Sequence, residues 1–93
     1  MLEDILEIKN EHGLHARPSA AFVKLASTFR STIKISSGRD SVDGKSIMGL
    51  MLLAAEKGRR LKVEIDGEDE QEAMISLKKL VEIEQFGEKA KMD

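Results

Sequence analysis

The sequence predicts an α+β fold: an open-faced two-layer sandwich, with a four-stranded, mostly antiparallel sheet covered on one face by three helices. Three observations predict it. Stretches with a two-residue hydrophobic period and stretches with a helical period follow one another as strand, helix, strand, strand, helix, strand, helix. The longer strands alternate apolar with polar residues, which leaves one sheet face wet and the other covered. Ser37-Gly38-Arg39-Asp40 is a turn signal that makes the second and third strands a hairpin.

Each element has its own signal. Leu2 to Lys9 places Leu2, Leu6 and Ile8 on one parity and Glu3, Glu7 and Lys9 on the other, with Asp4 and Ile5 breaking the pattern near the start. Asn10 to Leu14 reads as a loop in which Gly13 can adopt a left-handed conformation. From Pro18 the period changes, and Phe22, Leu25, Ala26 and Phe29 fall on one helical face. Proline suits a first helical turn, where its missing N–H is no loss. Thr32 to Ser36 is a strand, and Val42 marks a short return strand broken by Asp43-Gly44. Ser46 to Ala55 is an apolar helix expected to end at Gly58. Leu61, Val63 and Ile65 alternate with Lys62 and Glu64 in a half-buried strand, and Asp66-Gly67 turns the chain. Asp69 with Glu72 resembles a capping box. Ala73, Met74, Leu77, Leu80 and Val81 form the stripe of a last helix that Gly87 is expected to stop. The domain is expected to span 1–87, with a polar tail at 88–93.

Composition excludes several functions. There is no run of about eighteen apolar residues to span a membrane, and Met1-Leu2-Glu3-Asp4 is no signal-peptide start. Cysteine is absent, so disulfides and thiol chemistry are ruled out and a reducing cytoplasm is expected. Net charge is −2, with three phenylalanines and no tyrosine or tryptophan. A nucleic-acid binder would show a basic surplus and stacking aromatics. The one basic cluster, Lys57, Arg59, Arg60 and Lys62, reads as a solvated loop entering a strand. A small-ligand α+β domain would instead need a pocket between sheet and helices.

The chemistry concentrates in His12-Gly13-Leu14-His15-Ala16-Arg17-Pro18-Ser19. His15 stands just before a helix start, where backbone N–H groups lack partners and attract anions. A neutral imidazole there keeps a lone pair that can attack phosphorus. Arg17 supplies a planar donor fork matched to phosphate oxygens. No carboxylate between His12 and Ser19 could activate water, so the stretch suits reversible carriage of a phosphoryl group. The bland reading makes His15 a polar loop residue and Arg17 a surface charge. His12 and His15 also form an H-x-x-H pair. Gly13 disfavours a helical i, i+3 arrangement, and no third ligand falls at a recognisable spacing, so no metal is expected.

Ser46 follows Gly44-Lys45 at the start of a second helix. It reads either as a plain N-cap or as a site of regulatory phosphorylation on a helix dipole. Gly-Lys-Ser is not the end of a phosphate-binding loop, because Arg39 stands where that motif needs glycine. Ile47, Met48, Leu50, Met51, Leu52 and Leu53 cannot all face inward on so short a helix. Met48 and Met51 either fill core gaps or belong to an adaptable interaction surface.

Over roughly positions 2–87 the chain resembles HPr, the histidine-containing phosphocarrier family of the bacterial phosphoenolpyruvate-dependent sugar phosphotransferase system. Gly13-Leu14-His15-Ala16-Arg17-Pro18 and Lys45-Ser46-Ile47-Met48-Gly49 carry the resemblance. It implies an open-faced sandwich of four strands and three helices. His15 would take a phosphoryl group from enzyme I on Nδ1 and pass it to enzyme IIA, with Arg17 neutralising it. Ser46 would be the target of the ATP-dependent HPr kinase/phosphorylase. Ile47, Met48, Met51 and Leu52 would form the partner-binding patch, with Lys24 at its rim. A catabolite-control transcription factor is a further implied partner of the seryl form. No cofactor is implied, and a monomer is expected. His12 and Ser19 depart from the family's usual small polar residue and alanine, which makes both candidate modulators. An HPr-like regulator acting mainly through Ser46, without sugar transport, is the alternative.

Overall fold

The computed structural model describes residues 1–87; the tail expected at 88–93 lies outside the described residues. Strands β1 (Leu2–Glu7), β2 (Thr32–Ser37), β3 (Asp40–Asp43) and β4 (Arg60–Asp66) interleave with helices α1 (Ala16–Ala26), α2 (Ile47–Leu53) and α3 (Glu70–Lys78) in the expected order. α3 passes directly into a π-helical turn, Lys79–Ile83. The sheet runs β1-β4-β2-β3, and every neighbouring pair is antiparallel.

Alternation builds the core. The register sets Leu6 opposite Leu61, Ile35 opposite Val63 and Ile33 opposite Ile65. All six are buried, and they form one cluster with Phe22, Ala26, Leu50, Leu53, Ala73 and Leu77 from the helices. Each large side chain so buried contributes about 1.5–3 kcal/mol before entropy is counted. Ile5, Lys34 and Lys62, on the opposite parity, are exposed. In α2, a Cβ at Gly49 would lie 3.0 Å from Val42 Cβ, so the missing side chain lets this helix lie close on β3.

Element boundaries depart from the sequence reading in four places. α1 stops at Ala26 and not beyond Phe29, which packs on the core from the following turn. α2 ends at Leu53 rather than near Gly58, with Ala54 left-handed at φ +50°. The cause is a long-range bond: the Ala55 carbonyl accepts from the Leu14 N–H at 2.9 Å, which pulls the chain out of the helix.

Asp69 and Glu72 form no capping box. The Asp69 carboxylate instead accepts from the N–H groups of Arg30 (2.9 Å) and Ser31 (3.0 Å) and from the Ser31 hydroxyl (2.5 Å). Glu70 takes the reciprocal role, accepting from the Gly67 N–H at 3.1 Å. Finally, the last helix ends before Gly87, since Gln85 (φ +51°) and Phe86 (φ +56°) already turn left-handed. The π turn, closed by Glu84 N–H on the Lys79 carbonyl at 2.8 Å, leaves Val81 buried. Glu82 there accepts from the Glu7 N–H of β1 at 2.8 Å. One turn earlier, Lys78 Nζ reaches Asp4 Oδ2 at 3.1 Å and the Ile5 carbonyl at 3.4 Å.

Candidate functional site

The segment from Ile8 to His15 is held against the residues that follow α2. Ile8 N–H donates to the Arg59 carbonyl at 2.9 Å, Gly58 N–H to the Ile8 carbonyl at 2.7 Å, and Leu14 N–H to the Ala55 carbonyl. Buried Asn10 folds the loop tighter: its Nδ2 donates to the Gly13 carbonyl at 2.9 Å. Gly13 sits at φ +64°, and a Cβ there would collide with the Ala55 carbonyl oxygen. Both constraints demand glycine. Leu14, buried in the core, anchors the loop and leaves the next residue outside.

That residue is His15, the N-cap of α1, extended at φ −79° and ψ −174°. Its side chain makes no capping bond and is exposed. Its carbonyl accepts the first helical bond, from Ser19 N–H at 2.9 Å. Geometry therefore leaves the Ala16 and Arg17 N–H groups without acceptors inside the helix, and Pro18 has no N–H to satisfy. Arg17 is exposed beside them. His15, Ala16 and Arg17 line a shallow cavity of about 580 Å³ with Leu14, Met51, Ala54 and Glu56. The His12 ring stands edge-on to the His15 ring, with centres 6.3 Å apart and planes at 63°.

Ser19 is fully buried, and its hydroxyl donates to the Leu14 carbonyl at 3.2 Å. A hydroxyl so placed ties the start of α1 to the loop before His15. Glu56 was invisible to sequence reasoning, lying about forty positions from the histidine motif with no pattern to connect them. The Leu14–Ala55 bond is what brings this residue to the lining of the cavity.

Ser46 is the N-cap of α2, and its Oγ accepts from the Gly49 N–H at 3.0 Å. The approach to it is rigid. Lys45 N–H donates to Asp43 Oδ1 at 2.9 Å, and Lys45 Nζ reaches back to the Phe29 carbonyl at 2.8 Å. Gly49, Leu50 and Leu53 are the buried residues of α2. Ile47, Met48, Met51 and Leu52 are exposed, Met48 by 76% and Leu52 by 79%. Neither of these two fills a core gap. Lys24 is exposed in the last turn of α1. Lys57 pairs with Glu11 at 2.7 Å and Lys62 with Glu3 at 2.9 Å, as befits solvated basic residues. Among the described residues no cluster of three or more histidines and carboxylates could hold a metal ion, and no helix is long and apolar enough to cross a membrane.

The arrangement thus offers an exposed nitrogen nucleophile, unpaired helix-start amides and a guanidinium around one shallow depression. A family model described as the PTS HPr component phosphorylation site matches residues 2–83. A phosphocarrier protein HPr of Neisseria meningitidis is 49% identical over 87% of this chain and 91% of its own length. The HPr-like protein Crh of Halalkalibacterium halodurans is 45% identical over 90% of this chain and all of its own length. The crystal structure of HPr from Thermoanaerobacter tengcongensis superimposes with a TM-score of 0.89 at 46% identity, covering 95% of this chain and 98% of that one. With its sheet, helices and histidine loop in that pattern, the chain belongs to the HPr phosphocarrier family.

Proposed function

We propose that this protein accepts a phosphoryl group on His15 from phosphorylated enzyme I and passes it to enzyme IIA domains during sugar uptake. The observation that carries the reading is His15 itself: an exposed imidazole, uncommitted to capping, at the N-terminus of α1 and on the rim of the cavity that Arg17 also lines. The His15 lone pair forms the new N–P bond as the bond from phosphorus to the donor breaks, the electron pair returning to the donor. Helix-start amides and Arg17 stabilise the charge on the oxygens in transit. Open access matters as much, since a carrier must leave each partner, and transient interfaces are modest in area. The cytoplasm is the compartment this role requires, and a monomer suits it.

Ser46 is the second proposed phosphorylation site, modified by the ATP-dependent HPr kinase/phosphorylase. A phosphate on it would sit beside the apolar face of Ile47, Met48, Met51 and Leu52 and weaken docking of enzyme I by charge and desolvation. That seryl form would also present itself to a catabolite-control transcription factor. The Crh relative supports a second reading, regulation mainly through Ser46 without sugar transport. A regulator of that kind has no need of His15, which this chain retains.

Incubation with phosphoenolpyruvate and enzyme I should place an acid-labile phosphate on the wild-type chain and none on His15→Ala. ATP with the kinase should label Ser46 in acid-stable form. Equal acid-labile labelling of His15→Ala would refute the carrier reading.

A further inference from the structure

Glu56 has no part in the chemistry so far, although it lines the His15 cavity together with Arg17. It is exposed, and its backbone is fixed beside the histidine loop. Its carbonyl accepts from the Arg59 N–H at 2.9 Å, and the carbonyl of Ala55 before it accepts from the Leu14 N–H. A Cβ on Gly13 would lie 3.1 Å from the Glu56 Cα, so the two backbones approach closely just before His15. α1 has no acidic residue in its own first turn. Among the described residues, Glu56 is the acidic one that lines the cavity at that helix start. From this placement, and resting on the phosphocarrier reading, we propose that Glu56 sets the transfer potential of the carrier. Its negative charge makes a phosphoryl group on His15 less stable and so easier to pass on.

Two anions compete here for the same positive features. Unpaired amides at a helix start attract a carboxylate as well as a phosphate. Arginine stays charged, and glutamate is ionised at neutral pH, so Arg17 and Glu56 offset each other across the cavity they line. The neighbouring ammonium, that of Lys57, is committed to Glu11 at 2.7 Å. A phosphoryl group brings at least one further negative charge. It is attracted by the amides and by Arg17 and repelled by Glu56. When the group moves on, the bond from His15 to phosphorus breaks and its electron pair stays with the imidazole nitrogen. The acceptor's nucleophile forms the new bond to phosphorus. The repulsion acts only before that step and therefore favours departure.

The test is a charge series at position 56. Glu56→Asp keeps the charge, Glu56→Gln removes it and Glu56→Lys reverses it. Each chain is equilibrated with phosphoenolpyruvate, excess pyruvate and a trace of enzyme I, and the phosphorylated fraction is read from acid-labile label. Enzyme I acts here as a catalyst, so its affinity for a variant alters the time to equilibrium and not the position. At low salt the equilibrium constant for phosphorylation should rise about threefold for Glu56→Gln, the scale of an exposed charge pair, and about threefold again for Glu56→Lys. Glu56→Asp should stay with wild type. The differences should shrink toward unity at about 1 M salt, where the screening length is about 3 Å. Equal constants across the series, a shift for Glu56→Asp as large as for Glu56→Gln, or differences unmoved by salt overturn the inference and leave the carrier reading intact. Absence of acid-labile label on every chain overturns the carrier reading and the inference with it.

Discussion

Gly13 shows how much of the site depends on one missing side chain. Its left-handed conformation and its contact with the Ala55 carbonyl let Leu14 bond across to the end of α2 and present His15 outward. Gly13→Ala should destabilise the protein by about 1–3 kcal/mol, the range for a strained backbone position. It should also slow phosphoryl acceptance, because the Leu14–Ala55 bond must lengthen. Urea denaturation and the labelling rate from enzyme I measure the two effects. At this scale the placement of His15 at a helix start, of Arg17 in the first turn and of Gly13 in a left-handed conformation was legible in the sequence, since all three follow from local backbone geometry. Ser19 and Glu56 were not. Whether a hydroxyl turns inward, or a distant residue arrives at a cavity lining, is decided by packing between segments far apart in the chain.

Among the elements, helix termini carry the lesson. Sequence periodicity located α1, α2 and α3, yet groups from distant segments decide two of their termini. α2 is cut at Ala54 by the loop before His15. α3 begins at a residue whose carboxylate serves another segment: Asp69 holds Arg30 and Ser31. Those bonds, the Ser31 hydroxyl first and the Arg30 N–H next, hold the Asp69 carboxyl below its ordinary range. A depressed pKa means that ionised Asp69 stabilises the fold at neutral pH. That stabilisation fades as pH falls through the ordinary carboxylate range toward the lowered value. Asp69→Asn should therefore have a lower urea midpoint than wild type at pH 7, and the gap should narrow on acidification to about pH 3. A gap that widens on acidification would contradict the assignment.

For the molecule as a whole, alternation along β2 and β4 announced a one-sided sheet, and hence the layers, the core and the wet face. The number of strands and their antiparallel sense followed from the same pattern. Strand order did not, because sequence periodicity says which face a strand buries and nothing about its neighbour. Excess apolarity in α2 was equally visible, and the structure resolves it into buried Leu50 and Leu53 and exposed Met48 and Leu52. The double change Met48→Ala and Leu52→Ala should leave stability within about 0.5 kcal/mol, as surface changes do. It should weaken binding to enzyme I about tenfold, or ~1.4 kcal/mol. Thermal unfolding and titration calorimetry separate these outcomes.

The Glu82 carboxylate on the Glu7 amide and the Lys78 ammonium on the Ile5 carbonyl have a consequence for life in a crowded cell. An unguarded sheet rim is a template on which a stray chain can grow. Here two groups on one rim, the Glu7 N–H and the Ile5 carbonyl, are occupied by side chains of the molecule's own final helical segment, and the other rim, β3, is four residues long. A protein proposed to dock on several others in turn thus gives them little β-edge to which they could adhere.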